Sequence, residues 1–314
     1  MRKVIQLGKR WLNIILKKSS VAVEQPIGKC YSKDEIKGYY NDLTGKISPS
    51  TLLDEDGIPI NVTSKGETVY SLVTIMQYAL GCYDLFIING NQLYREKFLQ
   101  LADFILEMQE ENGKWDARAS IGSIKENSSC MAQGQGCSIL LRAALETEDA
   151  RYVHAAEKAI SFMLLPCEDG GTAIYDGVKV SFEKYPPQNG RISSVLNGWA
   201  FALFGLYDYM LFTRSEEHHL LWEKSCKTLE TYLPLYDRKY WSNYDLVGTI
   251  ASPAYHSVHI SLLRTLADLS GNQQMVIYAD RFEKYEHSSM KRFRAILTKV
   301  IQKILRPSDA FFVQ

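Results

Sequence analysis

Neither sign of charge is in excess: 36 Lys and Arg stand against 36 Asp and Glu, for a formal net charge of zero. Nucleic-acid binders carry a strong basic excess, so that class of partner is excluded. An anionic ligand is not, because a few local cations suffice. CxxC spacing is also missing, since Cys30, Cys82, Cys130, Cys137, Cys167 and Cys226 are scattered. Zinc ribbons and thioredoxin-like sites need that spacing, so no metal site and no cofactor are expected. Scattered cysteines in a chain of this size read as reduced packing residues, which favours a cytoplasmic compartment. No apolar run reaches the roughly eighteen residues needed to span a bilayer. The first residues, MRKVIQLGKRWLNIILKK, are basic and apolar but lack a clear h-region and a small-residue cleavage site. They read as a retained amphipathic segment.

What is present is an ordinary globular composition in a chain of 314 residues, long enough to bury a sizeable core. The 19 tyrosines are many. Tyrosine has an apolar body and a polar tip, which suits cores and sugar-binding clefts alike. Residues 1–66 hold the amphipathic segment and an irregular or β region, punctuated by Gly28, Gly45, Gly57, Pro26, Pro49 and Pro59. From Glu67 the pattern is helical. Leu72, Ile75, Met76, Ala79 and Tyr83 mark one helical face, and Phe98, Leu101, Ala102 and Ile105 mark another after a break at Asn89-Gly90-Asn91.

This hairpin recurs, with turns at Thr147–Ala150, Thr213–Glu217 and Ser270-Gly271-Asn272. Its first helices begin near Tyr70, Ser129, Val195 and Tyr255, at steps of 59, 66 and 60 residues. They are rich in small residues, such as Gly134, Gly136, Gly198 and Gly205. A helix glycine costs roughly 1 kcal/mol relative to alanine, so repeated glycines imply close approach of the backbone to a neighbour or a ligand. The second helices carry more charge on one face. An inner and an outer ring follow. The fold expected is mainly α, an (α/α) toroid of about four hairpins forming an incomplete barrel over residues 67–286, with an open α-solenoid as the alternative. Residues 287–314 form a basic amphipathic helix with Phe293, Ile296, Leu297, Val300, Ile301 and Ile304 on its apolar face. It either packs on the domain's flank or attaches, with the basic N-terminus, to an anionic membrane or a glycan-assembly partner. A homodimer is left open.

Polar and aromatic clusters lie at or just before the inner helices: MAQGQG at 131–136, FEKYP at 182–186, Asn197, Tyr244-Asp245-Leu246, and SPAYHSVH at 252–259. In a toroid the starts of the inner helices share one rim, so these residues would meet in one cleft. The clusters, with LNGWAFALFGLYDY and LPLYD, resemble the C-terminal catalytic domain of the D-glucuronyl C5-epimerases of heparan-type glycans, over about Gly66 to Asp268.

The resemblance implies three catalytic tyrosines, matching Tyr185, Tyr244 and Tyr255. It implies removal of the C5 proton of a glucuronyl unit and its return on the opposite face, giving iduronyl in a uronic-acid glycan. A phenol becomes a fairly strong base if nearby cations favour phenolate, and inversion needs an acid on the other face. Substrate contacts are expected from Glu183, Asn197, Gln133, Gln135, Asp245, His256, His259 and Arg118. His256 and His259 share a helical face, but without a third ligand their default role is packing or hydrogen bonding. Three departures stand out. Lys184 occupies the position before the first tyrosine where the family has an acid, and Pro253-Ala254 replaces a Trp-Asp pair. Val247 follows Tyr-Asp-Leu where an arginine would clamp a carboxylate; Arg118, Arg191 and Arg238 are candidates to replace it. The competing readings are a polysaccharide lyase or hydrolase on the same fold, the latter drawing on Glu183, Asp237 and Asp245, and a non-catalytic glycan-binding or assembly protein.

Overall fold

The computed structural model describes residues 23–62, 66–116, 128–187 and 192–305. Nine α-helices are found among them: α1 (Leu72–Asn89), α2 (Gln92–Glu107), α3 (Cys130–Thr147), α4 (Ala150–Leu164), α5 (Leu196–Thr213), α6 (Glu216–Tyr236), α7 (Pro253–Ser270), α8 (Gln273–Glu286) and α9 (Ser289–Leu305). The first eight pair as four hairpins. Two small antiparallel ribbons join them, β1 (Asn61–Val62) with β2 (Thr68–Val69) and β3 (Ala173–Asp176) with β4 (Lys179–Phe182).

Each hairpin turns by the same device. The inner helix ends on a left-handed residue, Gly90, Glu148, Arg214 or Gly271. The next residue is Asn91, Asp149, Ser215 or Asn272, and its side chain accepts a backbone N–H of the outer helix's first turn. A left-handed stop followed at once by an N-cap reverses the chain in two residues. The inner helices α1, α3, α5 and α7 therefore run in one direction, side by side in an arc, with α2, α4, α6 and α8 outside. This is an incomplete (α/α) toroid.

The inner glycines explain how close the arc is. A Cβ on Gly205 would lie 2.4 Å from the Cα of Gly134, so α3 and α5 touch backbone to backbone there. By length and composition, α1 is apolar and long enough to cross a membrane, contrary to the expectation that no segment would be. Most of it is buried against its neighbours.

The gap in the arc is filled from the irregular N-terminal region. Tyr39, Tyr40 and Leu43 are buried between the C-terminal halves of the inner helices. The N–H of Tyr39 donates to Asp84 of α1 at 2.7 Å, Tyr40 Oη donates to Asp208 of α5 at 2.8 Å, and Thr265 of α7 donates to the Tyr40 carbonyl at 3.2 Å. Arg142 of α3 completes the lock. It pairs with Asp208 at 2.6 Å, both side chains fully buried, and donates to the carbonyls of Lys37, Gly38 and Ser138. A buried ion pair is tolerable when its remaining donors are satisfied like this. Burial lifts the Asp84 carboxyl to about 7.

Candidate active site

The opposite, N-terminal ends of the inner helices carry the tyrosines. Strand β4 runs into Glu183-Lys184-Tyr185. The Glu183 N–H donates to Thr172 at 2.8 Å, and its carbonyl accepts the N–H of Cys130 at the start of α3, at 3.1 Å. Its carboxylate is buried and accepts four hydrogen bonds, from the N–H and hydroxyl of Ser193 and of Ser194. Glu183 thus clasps the Ser193-Ser194 segment to β4 and has no oxygen left for a ligand. Burial still raises its pKa.

Tyr244 is held by its backbone. Its carbonyl accepts the Leu196 N–H at the start of α5 (3.1 Å), and its N–H donates to Thr249 (2.7 Å). Asp245 closes that short loop by accepting the Thr249 N–H at 2.8 Å. Tyr255 lies in the first turn of α7, where Pro253 begins the helix and Ser252 caps it. The rings of Tyr244 and Tyr255 are 5.0 Å apart, centre to centre.

Lys184 joins the three phenols. Its Nζ donates to Tyr244 Oη at 3.1 Å. The same Nζ stands 5.6 Å from the ring centre of Tyr185, 5.7 Å from that of Tyr244 and 6.0 Å from that of Tyr255. Its stem lies on the bare backbone of Gly198, where a Cβ would fall 2.5 Å from Lys184 Cβ. Burial, then the neighbouring Tyr185 and Tyr255, push the Tyr244 phenol well above its usual range. A hydrogen bond with Tyr185 works in the same direction. Tyr185 and Tyr255 are each 41% exposed, so this triad opens to solvent.

The histidines back the site. His256 stacks on Trp241 with ring centres 3.7 Å apart. Its Nε2 faces the Phe282 carbonyl at 2.9 Å and must carry the hydrogen, so its Nδ1 accepts from Ser242, 3.2 Å from the N–H and 2.7 Å from Oγ. Ser242 Oγ then accepts from His259 Nδ1 at 2.9 Å, which leaves His259 Nε2 an unprotonated acceptor with no partner among the described residues. Burial pushes His256 down to about 3. His259 is driven well below its usual value by burial, His256 and Lys184, in that order. Both are neutral anchors between α7 and the Trp241-Ser242 segment.

The remaining expected residues divide. Asn197, beside the Lys184 seat, is buried with its Oδ1 unpaired. Gln133 and Gln135 are fully buried in α3. Gln133 donates to Gly113 at 3.2 Å with Oε1 unpaired, and Gln135 lies by Tyr39, deep in the ring rather than at its rim. Arg118 and Arg191 lie outside the described residues. Arg238 donates to Asn243 and Gly248, bracing the Tyr244 loop from behind. Asp237 is engaged by Arg281, Lys239 and Tyr285. Sequence reasoning met Lys184 only as a departure. It missed Lys299 of α9, which is buried, donates to the Ile250 carbonyl at 2.7 Å and lies 6.0 Å from the Tyr244 ring. Burial lowers Lys299 to about 8.

A family model described as the D-glucuronyl C5-epimerase C-terminus matches residues 109–284, more than half of the chain. The chain belongs to this family. A D-glucuronyl C5-epimerase of Caenorhabditis elegans is 29% identical over 228 residues, covering 64% of this chain and 36% of the relative. An uncharacterized protein of Methanocaldococcus jannaschii is 30% identical over 155 residues, 48% of this chain and 49% of that one. The chain thus spans half or less of the length of these curated relatives. Among solved structures, an unsaturated glucuronyl hydrolase from Streptococcus agalactiae aligns with a TM-score of 0.45 and 15% identity, over 71% of this chain and 57% of that one. Within the family match, residues 182–259 contain all three tyrosines and Lys184.

Proposed function

We propose that the protein is a uronyl C5-epimerase acting on a uronic-acid glycan. The observation that carries this reading is the convergence of Tyr185, Tyr244 and Tyr255, from three separate segments, around the single ammonium of Lys184. The C5–H of a uronyl unit is a very weak acid, and its removal leaves charge on the adjacent carboxylate. That charge needs a fixed cation, and the ammonium among the phenols supplies one. The C5–H bond breaks with its proton passing to the oxygen of an ionised tyrosine, and the electron pair is held as the enediolate of the carboxyl group. A new C5–H bond forms on the opposite face with a proton from a neutral phenol. Burial keeps Tyr244 protonated and suits it to that second role, while the more exposed Tyr185 and Tyr255 are the candidate bases.

A hydrolase needs two free carboxylates across the bond; Glu183 and Asp237 are each held by several protein groups, which leaves Asp245 without a second. A lyase shares the first proton abstraction. Incubating uronic-acid glycans with the protein in deuterium oxide separates the readings. Deuterium at C5 is the expected result. Unsaturated uronate would assign a lyase, and glycan binding without exchange across a panel would assign a non-catalytic role.

A further inference from the structure

We infer that α9 is a membrane-docking helix whose outward face seats the protein on a bilayer surface rich in anionic headgroups. A surface helix ordinarily turns its apolar stripe to the core. Helix α9 does the reverse. Ala295 and Lys299 are its buried residues, and Gln302 beside them exchanges hydrogen bonds with the Ile250 N–H (2.9 Å) and the Gly248 carbonyl (2.8 Å). Met290, Phe293, Leu297, Ile301, Ile304 and Leu305 face away, three of them more than 70% exposed. At 100° per residue these six fall within an arc of about 120°, a stripe which the exposed Arg294 enters between Ile301 and Leu305.

Charge selects the occupant. Helix α9 contains Lys291, Arg292, Arg294, Lys299 and Lys303 and no acidic residue. Arg294 lies over the Tyr240 ring at 4.0 Å and Lys291 over the Tyr285 ring at 4.2 Å, so these cations are fixed in and beside the stripe. A second copy would set like charge against like. Residues 1–18 carry Arg2, Lys3, Lys9, Arg10, Lys17 and Lys18 and no acid, so that segment is no better complement. An anionic bilayer complements both features, taking apolar side chains at the acyl boundary and ammonium and guanidinium groups among the headgroups.

Vesicle flotation of the full chain tests this. Binding is expected to phosphatidylcholine vesicles containing phosphatidylglycerol, weakening with salt, and not to phosphatidylcholine alone. The variant Phe293→Ser/Leu297→Ser/Ile304→Ser is expected to melt like the parent and to partition at least about tenfold more weakly. Should that variant melt early, Leu297→Ser alone, with a severalfold loss, carries the same test. Failure of the parent to float overturns the proposal. So does parental flotation by a folded variant, or a concentration-dependent dimer abolished by these substitutions in a protein that ignores lipid. Flotation needs no glycan, so its failure and a failure of the epimerase reading are separately visible.

Discussion

The Nζ of Lys184 donates to the phenolic oxygen of Tyr244 at 3.1 Å, and the contact exists because position 198 has no side chain. A lysine stem pressed on a helix backbone is held in one place, so its charge is available without reorganisation when charge develops nearby. The positions before Tyr185 and after Leu246, which depart from the family pattern, are therefore best considered together. We propose that the ammonium of Lys184 supplies the cation that the resemblance leads one to expect at Val247.

Replacing that ammonium separates positioning from packing. Lys184→Met is expected to lower turnover by about 10²-fold or more. Because a nearby cation favours phenolate, the acid limb of the rate profile should also move to higher pH. Lys184→Arg should restore part of both. A purely structural lysine would change the melting temperature and leave the profile in place.

Tyr244→Phe removes a hydroxyl and leaves the backbone hydrogen bonds that hold its loop. Turnover is expected to fall by about 10²- to 10⁴-fold, the usual span for loss of a general acid or base. Solvent-deuterium exchange at C5 checks the rate, and circular dichroism checks that the fold persists.

The Arg142–Asp208 pair governs stability, not chemistry. Arg142→Met strands a buried carboxylate and is expected to cost about 3–5 kcal/mol in urea unfolding. The double change Arg142→Met/Asp208→Leu should recover much of that loss, since both charges then leave the core together.

His256 predicts sensitivity to acid. Its ordinary value is 6.5 and the fold lowers it to about 3, so between those values the unfolded chain binds the extra proton. Its contribution is fully present above pH 6.5 and shrinks as the pH falls, by at most roughly 1.4 kcal/mol per pH unit. His259 acts with the same sign. Asp84, raised to about 7, acts with the opposite sign, because the folded state keeps its proton longer. The measurable quantity is therefore a difference. Relative to the parent, His256→Gln should lose less stability on acidification from neutral pH to about 5, as read by urea midpoints.

The helices were legible because each hairpin repeats one local grammar, an apolar stripe ended by a left-handed residue and an N-cap. The glycines of α3 and α5 announced close backbone contact, and Gly134 against Gly205 is that contact. The Tyr39-Tyr40 filling was not legible, since an irregular stretch has no periodicity to show which residues it buries. Glu183 was read as a sugar contact, because a sequence shows a carboxylate but not the two serines ten and eleven residues on that occupy it. The apolar stripe of α9 was visible, but its direction was not. Amphipathicity fixes which residues share a face, and only the partners of Lys299 and Gln302 decide which face turns inward.

The Tyr39-Tyr40 filling has a consequence for the traffic of substrate. A ring of helices open at both ends could pass a polymer along its axis like a bead on a string. Here the far end is stoppered by two aromatic rings latched to all four inner helices. Among the described residues, a glycan that entered among the tyrosines would meet a closed floor at that end rather than a passage.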